Sequence, residues 1–185
     1  MFEDELKLIS NDNIRKMVEM TLEKIPEYFY EVSASSTGKY HPAYSLGYGG
    51  LYRHTVAAVK IAEDLTKLQC FHLSDVSHDC IIAALILHDT MKLGNPRETN
   101  TRYDHPILAA NLFYDTVKDM RNDVDSNSYI RTIYDAIASH MGQWNISPYD
   151  ETILPTPEQA FDAQVATMVH LCDYLASRKY ITVNF

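Results

Sequence analysis

An all-α fold is what this sequence predicts, and three observations carry that expectation. Apolar residues recur at three- and four-residue intervals along most of the 185 positions. No long stretch alternates apolar and polar residues between turn signals, as a half-buried strand would. Ser, Asp, Asn or Thr precedes several of the periodic segments, where a helix needs a side chain to satisfy its first free N–H groups. A bundle of about six or seven helices follows.

Leu6, Ile9, Ile14, Met17, Val18, Leu22 and Ile25 give residues 3–24 a helical face, interrupted at Ser10-Asn11-Asp12-Asn13, where a second helix restarts with its own cap. Pro26 favours a break. Residues 33–50 are rich in Ser, Gly, Tyr and Pro and read as a loop ending in Gly47-Tyr48-Gly49-Gly50, where backbone freedom or a close approach is expected. A helix is predicted from Leu51 to Leu68, with Val56, Val59, Ala62 and Leu65 inward, and another from the Ser74 cap to His88. Residues 90–103, with Gly94, Asn95 and Pro96, form a loop. Three more helices are expected: one capped by Asp104 from His105 to about Met120, one capped by Ser128 to Met141, and one capped by Thr156 to Arg178, with Pro157 in its first helical position. Tyr180-Ile181-Thr182-Val183 is the one β-leaning segment.

Length and a 46% hydrophobic composition fit one domain over 1–185, with an N-terminal helical segment over 1–30 and a motif-bearing core over about 40–180. The formal charge of -9 argues against a protein held on nucleic acid by a broad basic surface, although metals can supply positive charge locally. Cys70, Cys80 and Cys172 are odd in number, widely spaced and set in largely apolar helical contexts, the pattern of buried thiols in a reducing compartment. The first residues lack the pattern of a secretory signal, and the longest apolar run, Ile81–Leu87, is too short to cross a bilayer. A cytoplasmic protein that makes no use of a membrane is expected.

Chemistry concentrates at His88-Asp89, which closes that apolar run. A buried helix end tolerates an imidazole and a carboxylate only with compensation, and a cation is the natural one. His54, His105, His140 and Asp173 also fall at helix ends or on helix faces. Mixed imidazole and carboxylate donors suit Mn, Fe, Co, Ni or Zn, with Mg admissible but less favoured. Adjacent residues on a helix point about 100° apart, so the pair addresses one centre only from the helix end, where Asp89 can bridge two ions. His170, three residues before Asp173, is read mainly as structural, and otherwise as a group orienting a ligand; His72 and His78 are read as surface residues. His41 and Tyr44 are placed near the pocket mouth as alternatives to surface roles. Tyr48, Tyr52, Tyr103 and Tyr149 lie near motif segments, where most such residues are core-edge and some could stack on a base.

The chain resembles the HD-domain metal-dependent phosphohydrolases, on His54 in Gly49-Gly50-Leu51-Tyr52-Arg53-His54-Thr55, on Leu87-His88-Asp89-Thr90-Met91-Lys92, and on Asp173 in His170-Leu171-Cys172-Asp173. The resemblance implies that His54, His88, Asp89 and Asp173 hold a first divalent metal and that Asp89 bridges to a second held by His105 and His140. Met141 stands where two-metal members often carry a second consecutive histidine. It also implies hydrolysis of a phosphomonoester or phosphodiester by metal-activated hydroxide, with a nucleotide, dinucleotide or oligonucleotide as substrate. Asp89 and Lys92 would be catalytic, Lys92 stabilising a phosphoryl oxygen, with Arg97 and Arg102 as further phosphate contacts. His41-Pro42-Ala43-Tyr44, with Ser147-Pro148 and Pro155-Thr156-Pro157-Glu158, is similar to a branch containing 3′–5′ exoribonucleases, whose additional nucleic-acid-binding domain is not expected within these 185 residues. A di-iron oxygenase of the same fold, a non-catalytic metal- or nucleotide-binding domain and a metal-free helical interaction domain are the rival expectations.

Overall fold

The computed structural model describes residues 1–120 and 124–184, and among them the protein is helical, with one isolated bridge between Ile146 and Ile153 in place of any strand. Seven α-helices are described: α1 Glu3–Lys7, α2 Asp12–Leu22, α3 Gly50–Thr66, α4 Asp75–Leu87, α5 His105–Val117, α6 Val124–Ala138 and α7 Ala163–Ala176. Tyr180–Val183 forms no strand. No described helix is long and apolar enough to cross a membrane.

The restart at Ser10–Asn13 is seen as expected, because the Asn11 side chain accepts from the backbone N–H groups of Asn13 and Ile14. Ser74 caps α4 through Ser77 N at 3.1 Å. Two expected starts move. The sixth helix begins at Val124 rather than after Ser128, with Asp125 in its first turn, where a carboxylate complements the helix dipole. Thr156 heads only a single 3-10 turn, Pro157–Gln159; the chain then extends at Ala160, and the Asp162 side chain caps α7 through Val165 N at 3.1 Å. Thus two caps compete within six residues, and the second starts the long helix. Cys80 and Cys172 are buried, but Cys70 is exposed in the turn after α3.

Helix α4 is the axis of the molecule. Every side chain from Cys80 to Leu87 is buried, and α2, α3, α6 and α7 pack around it. An evenly apolar helix of this kind is stable only when surrounded. Its one buried acid, Asp79, accepts from Ser10 N at 3.1 Å, Ser10 Oγ at 2.8 Å and Asn11 N at 2.7 Å, so it fastens the α1–α2 connection to the central helix. Gly50 starts α3 where a Cβ would stand 2.3 Å from the Ser45 carbonyl oxygen, which is the close approach that the Gly-rich segment predicts. Gly49, just before it, has φ +70°, a conformation that L side chains rarely adopt. Together they let the loop over 33–49 fold back beside the helix that carries His54.

Replacing Asp79 with Ala removes a charged acceptor from three donors and is expected to cost about 2–3 kcal/mol of unfolding free energy. Urea denaturation checks this. A change below about 0.5 kcal/mol would show that the clamp contributes nothing beyond an ordinary surface contact.

Candidate metal centre

Five chain segments converge at one end of the bundle. His54 lies in the second turn of α3, His88 ends α4 with Asp89 beyond it, His105 opens α5, His140 follows α6, and Asp173 lies on α7. The four imidazoles and Asp89 are almost completely buried, while the Asp173 side chain keeps 22% of its exposure. The structure therefore brings all six sequence-predicted ligands together.

The backbone fixes which nitrogen of three of these rings is free. Nδ1 of His88 lies 2.7 Å from Leu85 O, Nδ1 of His105 2.7 Å from Arg102 O, and Nδ1 of His140 2.8 Å from Ile137 O. A carbonyl only accepts, so each Nδ1 donates a proton and each neutral ring keeps a lone pair on Nε2. The same i to i−3 bond recurs at three chain turns, each aiming its Nε2 inward.

The inward atoms meet Asp89 from two sides. Its Oδ2 lies 3.5 Å from His88 Nε2 and 3.9 Å from His54 Nε2; its Oδ1 lies 3.0 Å from His105 Nε2 and 3.8 Å from His140 Nε2. Asp173 Oδ1 completes the first group, 2.8 Å from His54 Nε2 and 3.6 Å from His88 Nε2. In the second group the Nε2 atoms of His105 and His140 are 3.2 Å apart. Ligand atoms sharing one transition-metal ion lie about 3–3.5 Å apart for bonds of about 2.1 Å, so both groups have cation spacing. His54–His88–Asp173 and His88–Asp89–His140 are triads whose donor atoms all lie within 4.8 Å of one another.

Unmet polar atoms point the same way. His88 Nε2 and Asp89 Oδ1 are buried without a hydrogen-bond partner. Each such atom costs about 1–3 kcal/mol unless something supplies positive charge. Burial pushes the Asp89 and Asp173 carboxyls upward, yet Lys92, His88 and His105 around Asp89, and His54 and His88 around Asp173, outweigh it and hold both well below the usual range. Burial pulls the His88 imidazole down, but the two carboxylates outweigh it and raise it. His140 is pushed down to about 3 by burial and by its His88 and His105 neighbours, so its ring is neutral. The ionised carboxylates are the form that a divalent cation requires, and a cation would take the place of the proton that the carboxylates favour on His88.

A family model described as HD domain matches residues 48–177. The chain belongs to the HD-domain family. The HD domain spans α3 to α7 and so includes every ligand candidate. Among curated proteins and among solved structures, nothing matches the chain significantly. HD domains bind divalent metals and form a superfamily of metal-dependent hydrolases, and this centre has donors suited to that role.

The HD centre opens into a cavity of about 1060 Å³ that includes Asp89, Lys92, His105, His140 and Asp173 in its lining. Lys92 Nζ lies 2.5 Å from Asp89 Oδ2. Helix α4 stops at Leu87, so a turn rather than a continued helix delivers this lysine, through Lys92 N donating to Asp89 O at 3.1 Å. Arg97 and Arg102 do not line the cavity: Arg97 lies 3.8 Å from Glu31, and Arg102 is held by Glu98 at 2.5 Å and by Asp104 at 2.8 Å. A loop position next to a motif does not disclose that nearby carboxylates already hold a guanidinium.

Other sequence placements resolve similarly. His41 lines the cavity with its Nδ1 buried and unpartnered, its ring 5.6 Å from that of His54; burial, with His54 and Lys92 nearby, pushes it down to about 4, so it is a neutral group. Tyr44 instead donates to Ala176 O at 2.8 Å, and Tyr52 packs on Phe2 and Tyr30. Tyr149 lines the cavity, while Tyr48 is exposed away from its lining. His170 Nδ1 donates to His140 O at 2.7 Å, and its ring fills the space where Gly142 has no Cβ, so it braces the ligand-bearing turn. Sequence reasoning missed Tyr40, Trp144, Tyr174 and Arg178. The last two could have been found from their spacing, one and five residues after Asp173 on the same helix end.

Asp89→Asn, which keeps the side chain's shape, is expected to reduce bound metal to background in elemental analysis after Mn loading; retention of wild-type content would contradict the bridging geometry. His105→Ala and His140→Ala should each lower the stoichiometry by one ion per chain. Wild-type protein that takes up one ion under every loading condition would rule out the second group.

Proposed function

We propose that the protein is a phosphoester hydrolase working with one or two divalent cations held by His54, His88, Asp89, His105, His140 and Asp173. The observation that carries the reading is that the two oxygens of one buried aspartate face two separate groups of imidazoles at the floor of an open cavity. Divalent cations supply Lewis acidity there, activating water and offsetting phosphoryl charge.

The chain's own residues account for the remainder. Lys92, largely covered at the cavity floor, places an ammonium beside Asp89 within reach of a phosphoryl oxygen, where it stabilises charge that grows in the transition state. The three Nδ1–H bonds keep the rings from turning as that charge develops. Water adds to phosphorus, the ester P–O bond breaks, and the departing oxygen takes a proton. Neutral His41 offers that part of the cavity a hydrogen-bonding nitrogen. Cys80 and Cys172, both pushed up to about 12 by burial, are not available as nucleophiles.

Generic phosphomonoesters and phosphodiesters assayed with Mn, Co, Ni, Fe, Zn and Mg test the reading. Metal-dependent release of product is expected, abolished by Asp89→Asn and lowered roughly 100-fold in kcat by Lys92→Ala. Iron-dependent oxygen consumption without phosphoester cleavage would replace hydrolysis with oxygenase chemistry. Metal binding without turnover on any ester would leave a binding domain.

A further inference from the structure

One wall of the cavity is aromatic and basic, and the metal centre makes no use of it. Trp144 stacks on Tyr174, with ring centroids 5.6 Å apart and planes 14° from parallel. The Arg178 guanidinium covers the Tyr174 ring at 4.3 Å and approaches Tyr40 at 5.9 Å. All four residues line the same cavity as Asp89 and Lys92. Trp144 remains 46% exposed, so part of its ring surface is open to a ligand.

Arg178 is the odd cation. Arg15, Arg97, Arg102 and Arg131 each have a carboxylate within 4.0 Å, and Arg53 donates to the carbonyls of Tyr44 and Leu46. Among the described arginines, Arg178 alone has neither, and donates only to Ser177 Oγ, at 2.8 Å from one terminal nitrogen. In a chain of net charge -9, a planar cation with no carboxylate partner among the described residues, held over an aromatic ring and lining a cavity, is arranged for an anion from outside. A brace holding the Trp144 turn on α7 would need the two rings but not the free guanidinium.

Chain position sets the direction of the span. Asp173 lies in the last turn of α7 and Arg178 lies two residues beyond its end at Ala176, so the wall continues outward from the metal centre. A ligand reaching from the metal centre to this wall must therefore extend beyond its reacting phosphate, present a flat face to the indole, and carry a further negative group.

We propose that Trp144, Tyr174 and Arg178 form a subsite for a nucleobase and a second phosphate, making the substrate a nucleotide chain end of at least two phosphates rather than a simple phosphate ester. The base extends the Trp144–Tyr174 stack. Arg178 takes the non-reacting phosphate through a planar, bidentate contact. The subsite rests on the hydrolase reading above, but its occupancy can be measured without turnover.

Trp144 is the only tryptophan in the chain, so fluorescence excited at the red edge of the indole band, where the 13 tyrosines do not absorb, reports on this wall alone. Metal-free protein is titrated with a 5′-phosphorylated diadenosine dinucleotide, adenosine and inorganic phosphate. Saturable quenching is expected with the dinucleotide, weaker quenching with adenosine and none with phosphate. Arg178→Gln should weaken the dinucleotide about tenfold while leaving adenosine unchanged, with Arg178→Lys between; circular dichroism establishes that both variants are folded. Equal quenching by inorganic phosphate, no quenching by the dinucleotide, or no change in Arg178→Gln would overturn the subsite. Cleavage of p-nitrophenyl phosphate tests the hydrolase reading separately. Cleavage without dinucleotide quenching removes the subsite alone, and quenching without cleavage of either compound removes the hydrolase reading while leaving nucleotide recognition.

Discussion

Three hydrogen bonds from ring nitrogens to carbonyls three residues back govern this structure. At His88, His105 and His140 the imidazole Nδ1–H closes onto the chain's own turn, which turns Nε2 toward Asp89. Such a bond orients a ring more firmly than a side-chain partner could, because the carbonyl belongs to backbone already fixed by helix packing. The arrangement also explains why the centre sits at the ends of helices. Leu85 and Ile137 lie in the last turns of α4 and α6, where carbonyls lose their helical partners, and Arg102 lies in the segment just before α5, so each carbonyl can accept from a ring.

This dependence on helix ends links the centre to the core. Helix α4 delivers His88 and Asp89, and it is buried on every side. Its position is therefore set by packing against four other helices rather than by the centre itself. Two of those neighbours, α3 and α7, carry His54 and Asp173, and α6 leads into His140. The donors can approach to a few ångströms, despite their mutual desolvation, because the surrounding apolar contacts hold the helices in place.

The all-α class, most helix starts and all six candidate ligands were legible in the sequence, because each depends on local pattern. The continuous apolar run of Cys80–Leu87 and the ordered spacing of His54, His88-Asp89 and Asp173 need no tertiary information. What was not legible depended on partners distant in sequence. Arg97 and Arg102 looked equivalent to any loop arginine until Glu31, Glu98 and Asp104 were seen beside them. Trp144 carries no motif, and its meaning comes from Tyr174, thirty residues later. Thr156 failed as the cap of the long helix because Asp162, six residues on, caps it instead.

The two sides of the cavity divide recognition in a way that fits an acidic protein. Near the floor, positive charge depends on what the donors hold, because Lys92 is already balanced by Asp89. On the wall, Arg178 has no carboxylate partner among the described residues, so its charge is available before any cation arrives. A phosphate ester approaching a surface of net negative charge is repelled at long range, but a guanidinium in a low-dielectric cleft offsets that repulsion locally. The reacting phosphate and a second anionic group thus make different demands. One needs the centre loaded, and the other needs only the fold.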